Sequence, residues 1–378
     1  MIENSDGPIY LDYAATTPVD PRVLEVMLPY FTQDFGNASS KHKHGEIAKR
    51  AVENAQLQVA NLINANPEEL VFTSGATEAI NLALKGLYFQ HFEKRNKIVT
   101  VKTEHKAVLD TCAYLEEMGA EVVYLNVDME GIIKWDEVEK EIDEHTLVVC
   151  VMHVNNETGV IQNIRKIASL AKANGAYFFT DATQSFGKLP LDVTESQIDL
   201  LSFSAHKIYG PKGVGGLYIR RGIQLQLLIH GGGQQSGLRA GTINVPLIVG
   251  LGEAARIAKY EMNENLAKVA QLRDEFETIL LANNKIAING KRDQRSPYIS
   301  NIQLLEWDDT EEFLMKNQEK LSASTGSACN AEIIEPSHVI KAMYFEYEEY
   351  LHQLRISLYQ KSDLSFLIEI IKSNERVS

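Results

Sequence analysis

Seven short apolar runs fill the first two-thirds of the chain, most of them separated by amphipathic helical patterns, and this alternation constrains the fold most. Leu70–Thr73, Lys97–Val101, Glu121–Leu125, 147–152, 176–180, Leu200–Ser204 and 216–220 read as strands. Helical patterns occupy 45–65, 76–88, 107–118, 135–142 and Ile164–Ala173. In the first, Ile47, Ala51, Ala55, Val59 and Leu62 recur at three- and four-residue spacing, and Pro67 follows its end. Strands joined through helices in this way form a mostly parallel sheet wrapped on both faces. A Gly/Pro-rich link joins the last two runs instead of a helix, which admits one antiparallel strand there.

At 378 residues the chain is long enough for a second core. The helical pattern over 244–281 exceeds an ordinary helix and reads as a connector leaving the first domain. Beyond it, strands near 298–304 and 355–357 with helices around them read as a smaller α+β domain. The expected class is α/β, with a large, mostly parallel domain over 15–260 and a small domain made from 1–14 and 261–378. The cleft between them is the default place for chemistry.

Charge narrows the function. Against 37 Lys and Arg stand 51 Asp and Glu, a formal charge of −14, which disfavours direct binding to nucleic acid or an anionic membrane. Three cysteines (Cys112, Cys150 and Cys329) are too few for a disulfide framework, and no CxxC pair points to zinc, so no metal site is expected. A reducing, cytoplasmic setting is the expectation. The N-terminal stretch carries acids without an apolar core, and no apolar run approaches the length of a bilayer.

Three segments that follow strand patterns carry chemistry, because parallel-sheet proteins bind ligands beyond the carboxyl ends of their strands. In Thr73-Ser-Gly-Ala-Thr-Glu78, Gly75 permits a tight turn into a helix whose free N–H groups suit an anion, and the Ser74 and Thr77 hydroxyls add donors. Taken alone this is an ordinary helix cap. In Phe178-Phe-Thr-Asp181-Ala-Thr-Gln184 an apolar strand ends in a carboxylate that needs a partner such as a protonated ring nitrogen, although Asp also starts many helices. In Ser202-Phe-Ser-Ala-His206-Lys207 a lysine directly after a strand is a candidate imine-forming amine, or else a solvated surface residue. An anion cup, an acceptor for a ring N–H and an imine-forming lysine together match what pyridoxal 5'-phosphate requires. The glycines at 210, 213, 215 and 216 make no dinucleotide fingerprint, and no P-loop is present.

With these segments in view, the chain resembles the cysteine desulfurases of the class V aminotransferase family, nearly end to end. The motifs are Tyr10-Leu-Asp-Tyr-Ala-Ala-Thr-Thr-Pro18, Lys102-Thr-Glu-His-Lys106, Met152-His-Val-Asn-Asn-Glu157, Asp181-Ala-Thr-Gln184, the Lys207 segment, Gly231-Gly-Gly-Gln234 and Gly326-Ser-Ala-Cys329. The resemblance implies a fold-type I homodimer that binds pyridoxal phosphate in its large domain. It further implies conversion of L-cysteine to L-alanine, with a persulfide left on Cys329 for a sulfur-acceptor protein.

Position by position, the resemblance makes Lys207 the Schiff-base lysine, Asp181 the partner of the pyridine nitrogen, and His105 the residue that stacks on the ring and handles protons. It puts Asn156 and Gln184 near the substrate and the ring oxygen, and Ala76, Thr77, Ser204 and His206 in the phosphate cup. Thr242 matches a phosphate contact from the second subunit, Asn37 and Arg355 the pair that holds the substrate carboxylate, and Cys329 the nucleophile. The small polar setting of Cys329 suits a loop, whereas Cys150 and Cys112 lie in apolar patterns and read as core. His230 and the His42/His44 pair read as solvated surface.

Several positions depart from the family pattern. Ala38 stands for a common Pro, Thr158 for Ile or Val, Gln235 for an acid, and Leu358-Tyr-Gln360 for a Leu-Gly-Arg ending, read here as a change at the surface or cleft edge. The expected pathways are iron–sulfur assembly, tRNA thiolation or DNA phosphorothioation. The short stretch after Arg355, without the extension that docks an iron–sulfur scaffold in some relatives, weighs against general cluster supply and for a dedicated role in one of the other two. A selenocysteine lyase or another lyase or aminotransferase of the same cofactor is the rival within the fold, and a noncatalytic interaction protein the rival outside it.

Overall fold

The computed structural model describes residues 7–283, 285–305, 310–326, 337–344 and 352–374. Its strands are β1 (Ile9–Tyr10), β2 (Leu70–Thr73), β3 (Lys97–Val101), β4 (Glu121–Leu125), β5 (Thr146–Cys150), β6 (Tyr177–Asp181), β7 (Leu200–Ser204), β8 (Gly215–Ile219), β9 (Ile286–Asn289), β10 (Ile299–Leu304), β11 (Leu321–Ser322) and β12 (Gln353–Ser357). Seven of them form one sheet in the order β2-β8-β7-β6-β5-β3-β4. Every neighbouring pair is parallel except the two that involve β8. That antiparallel strand enters through the Gly/Pro-rich link, too short to carry a crossover helix.

Adjacent residues along a strand point to opposite faces, and the core divides accordingly. Phe178, Val149 and Phe203 belong to one buried cluster, with the helix Lys43–Ile63. Phe179, Val148, Cys150 and Cys112 belong to the other, with the helix Ala76–His91. Both cysteines are fully buried, as their apolar settings imply. A third cluster joins Leu11, Val269, Phe276, Ile302 and Leu354 beneath an antiparallel sheet of order β12-β10-β9. The pattern over 244–281 is a single 36-residue helix, Val245–Leu280, which starts at an Asn244 cap and feeds two of these clusters. Among the described residues no helix is long and apolar enough to cross a membrane.

Two pairings bring the start of the chain to its far end. β1 runs parallel to β11, and Asp12 bridges to Ser357. The Leu358-Tyr-Gln360 departure, expected at the surface or cleft edge, reaches inward, with only Gln360 half-exposed. Leu358 and Tyr359 are buried, and the Tyr359 ring packs 5.7 Å from Tyr13 and 5.5 Å from Tyr209. A tyrosine at this position adds ring area that only packing on two distant segments removes from water.

Candidate active site

Because β2 is antiparallel to β8, and β8 to β7, the carboxyl ends of β2, β3, β5, β6 and β7 share one edge of the sheet. A cavity of about 750 Å³ opens at that edge. The turn Thr73–Gly75 closes its floor against β8. A Cβ on Gly215 would lie 2.4 Å from the Phe203 carbonyl oxygen and 2.8 Å from Gly75 Cα, so only glycine admits this approach. The helix Ala76–His91 then starts at Gly75 with no side-chain cap, leaving its first N–H groups to face the cavity. Ala76, Thr77, Ser204 and His206 line the same end.

Asp181 ends β6, buried in the cavity wall. Thr183 N and Oγ1 donate to its Oδ1 at 2.9 and 2.5 Å, and Ser202 Oγ donates to the same atom at 3.2 Å. All these donors meet Oδ1, which among the described residues leaves Oδ2 for a ring N–H. Nearby, Glu104 is fully buried. Burial, reinforced by the charge of Asp181, pushes its carboxyl well above the usual range, and its Oε1 accepts from Met152 N at 2.5 Å.

Lys207 follows β7 in a single helical turn and points back across the cavity. Its Nζ donates to the carbonyls of Ala14 and Ala15, both at 2.6 Å. These carbonyls belong to the Tyr10–Pro18 motif, whose backbone role no side-chain pattern announces. His206 Nδ1 meets Thr16 Oγ1 at 3.1 Å, and burial together with the lysines at 207, 212 and 188 draws its imidazole down to about 4. A neutral ring there serves an anion as a hydrogen-bond donor, not as a charge.

His105 caps the helix Lys106–Glu117. Its Nδ1 accepts from Ala107 N at 3.1 Å, so the ring proton resides on Nε2. Arg355, on β12, reaches the cavity from the far end of the chain. Its Nη1 donates to Asn156 O at 3.1 Å and its Nη2 to Asp12 Oδ1 at 2.7 Å, while Nε is buried without a partner among the described residues. An orphaned guanidinium N–H in a pocket wall is a docking point for a carboxylate.

His105, Asn156, Asp181, Gln184, Lys207 and Arg355 therefore converge. Asn37 does not line the cavity; its Oδ1 accepts from Ser39 N at 2.9 Å. Thr242 is exposed and also outside the lining. Cys329 lies outside the described residues. The expected group fits the residues present: an anion cup at one end, a buried carboxylate with one uncommitted oxygen at the other, and a lysine between.

His153, next to the site, is buried and drawn down to about 4. An unfolded histidine takes its proton near 6.5, so between these values the unfolded chain binds more protons. The resulting stability is present above about pH 6.5 and is lost as pH falls through 4. Glu157, pushed up to about 7 by burial, acts with the opposite sign and loses its contribution as pH rises through 7. Replacing His153 with Gln is expected to flatten the decline in melting temperature between pH 6.5 and 4, and parallel melting curves for both proteins would count against this account.

The aminotransferase class-V family profile matches residues 9–365. Over 375 residues the chain is 46% identical to cysteine desulfurase IscS of Pectobacterium carotovorum, a match covering 97% of this chain and 92% of that protein. A solved NifS-like protein superposes with a TM-score of 0.91 at 34% identity, covering 98% of this chain and all of the other. SspA in complex with cysteine superposes at 0.83 with 41% identity, covering 93% and 98%. With a pocket built for the same cofactor, these near full-length matches show that the chain belongs to the pyridoxal-phosphate-dependent cysteine desulfurases of the class-V aminotransferase family.

Proposed function

We propose that Lys207 anchors the cofactor and moves the substrate's Cα proton, that Asp181 keeps a proton on the ring nitrogen, and that Cys329 receives the sulfur. When bound, pyridoxal phosphate supplies an electron sink conjugated to the substrate. Lys207 suits a movable base, since its Nζ lines the cavity and donates to the neutral carbonyls of Ala14 and Ala15. His105, with its proton on Nε2, presents a donor to the reacting end of the cavity. Arg355 and Asn37 take the substrate carboxylate, and Asn156 borders the substrate.

In the transfer step the C–S bond of cysteine breaks and an S–S bond forms at Cys329. The thiol hydrogen of Cys329 is balanced by protonation of the departing carbon, giving L-alanine and a Cys329 persulfide. The terminal sulfur then passes to an acceptor protein, which serves iron–sulfur assembly, tRNA thiolation or DNA phosphorothioation. Two copies complete the site, with Thr242 of each reaching the other's phosphate cup, in the cytoplasm. The large unit over 15–260 carries the cup, and the unit from 1–14 and 261–378, supported by the third cluster, carries Arg355 and Cys329.

The observation that carries this reading is the meeting of Lys207 and Asp181 in one cavity with the uncapped start of the helix Ala76–His91. Mass spectrometry of the Cys329 peptide after cysteine addition is expected to find one extra sulfur, lost again when the right acceptor is supplied. An unmodified Cys329 peptide during active alanine release would refute the assignment.

Arg355 supplies a separate check. Arg355→Lys keeps the charge but loses the planar fork, so KM for cysteine is expected to rise roughly tenfold or more, with a smaller change in kcat. Steady-state kinetics decide it, and an unchanged KM would move the carboxylate elsewhere.

A further inference from the structure

Lys188 is the most unusual charged residue outside the roles assigned so far. It lies in the turn after β6, two residues before Pro190, and sequence alone makes it a surface lysine. Instead it is buried, at 7% exposure, and among the described residues no carboxylate pairs with it. A buried cation without a counter-ion costs several kcal/mol, which a purely structural position has no reason to keep.

Its Nζ donates to Gln184 Oε1 at 3.2 Å. At the other end of the same amide, Gln184 Nε2 donates to Ala14 O at 2.9 Å, and Ala14 O also accepts from Lys207 Nζ at 2.6 Å. Lys188, Gln184, the Ala14 carbonyl and Lys207 thus form one hydrogen-bonded chain along the cavity wall. The orientation of the amide is dictated twice: a donor demands oxygen on the Lys188 side, and a carbonyl demands nitrogen on the Ala14 side. The NH₂ group has a second hydrogen, and Gln184 lines the cavity.

We propose that Lys188 is a positioning residue that locks the Gln184 amide so that its second N–H faces the ring oxygen of the bound cofactor. This rests on the reading that Lys207 anchors the cofactor and that Gln184 borders the ring oxygen. Without Lys188 only the Ala14 carbonyl still orients the amide, and whenever it turns, its oxygen meets the ring oxygen and a donor is exchanged for a repelling lone pair. Burial, reinforced by the charges of Lys207 and Arg355, brings the Lys188 ammonium down to about 7, so the lysine remains a donor in either protonation state.

Lys207, Arg355 and His206 face Lys188 from the cavity side, and tyrosines face it from the other. The Tyr298 ring lies 5.7 Å from its Nζ, and Tyr209 and Tyr359 border a small cavity of about 90 Å³ beside it. Burial pushes the Tyr298 phenol up to about 12 and raises that of Tyr209 well above its ordinary value. At the rim, Arg22 pairs with both Asp20 and Glu261.

The test is the pH midpoint of the visible absorbance of bound pyridoxal phosphate in the holoenzyme, which reports the proton at the cofactor–lysine nitrogen. A donor on the ring oxygen spreads the negative charge that retains this proton, so losing the donor raises the midpoint. Lys188→Met and Gln184→Leu are each expected to raise it by roughly one pH unit, about tenfold in proton affinity. The double variant is expected to rise no further than the larger single shift, because both changes remove the same contact. Lys188→Arg, which keeps a donor and has the adjoining cavity for its extra atoms, is expected to hold the midpoint near that of the unsubstituted enzyme.

An unmoved midpoint in Lys188→Met overturns the proposal. So do additive shifts, which would make Lys188 act by charge alone, and an Arg variant that shifts as far as Met. Borohydride reduction followed by peptide mass analysis separates this from failure of the underlying reading. The cofactor is expected on Lys207, and finding it on Lys188 would overturn both.

Discussion

Lys207→Ala is expected to lower turnover of L-cysteine by at least about a thousandfold, since in the proposed roles the change removes both the covalent anchor and the base at Cα. Binding should survive in weakened form. The uncapped helix start, Ser204, His206 and Asp181 are untouched, so the cofactor should remain bound yet become removable by dialysis. The lysine donates to the backbone carbonyls of Ala14 and Ala15, which are neutral groups, so the fold should persist. An added small primary amine should restore part of the proton transfer. Turnover within about tenfold of the starting enzyme would assign the base to another residue.

Cys329→Ser should separate the two halves of the reaction. The role proposed for Cys329 is to take sulfur and not to hold the cofactor, so colour and cysteine-induced spectral change are expected to remain. Transfer of sulfur to an acceptor or to added thiol should fall by at least about a thousandfold, because a serine hydroxyl is neither ionised nor polarisable enough to attack a thiol sulfur at neutral pH. Sulfide release and absorbance measured on one preparation decide it. Undiminished sulfide with intact colour would mean that cysteine's sulfur leaves without visiting Cys329.

Much of the large sheet was legible because its information is local. Strand runs such as Lys97–Val101 and Leu200–Ser204 are apolar on both faces, and a strand covered by helices on both sides has no other pattern open to it. The helix Ile164–Ala173 follows its 3.6-residue period closely enough to be bounded by sequence alone. Shorter pieces were not legible. β1 and β11 have two residues each and exist only because they pair with one another across more than three hundred positions. β9 carries no stronger signal, being four residues held by its partner β10.

The site divides along the same line. Asp181 ends a strand and Lys207 follows one by a single helical turn, and the edge of a parallel sheet is where such residues meet. Backbone carbonyls at Ala14 and Ala15 have no side-chain signature, and the burial of Leu358 and Tyr359 depends on rings supplied by Tyr13 and Tyr209.

By itself, then, the order of residues determined the α/β class, the strands of the main sheet and the chemical kind of each group at their ends. These depend on interactions within a few residues or on the period of one element. Tertiary structure alone decided which distant atoms meet: Arg355 with Asp12 and Asn156, Lys207 with the carbonyls of the N-terminal motif, Lys188 with Gln184. The reason is desolvation. A lysine or arginine behaves as a solvated surface charge until packing removes the water around it, and no stretch of sequence records how much water its side chain will lose.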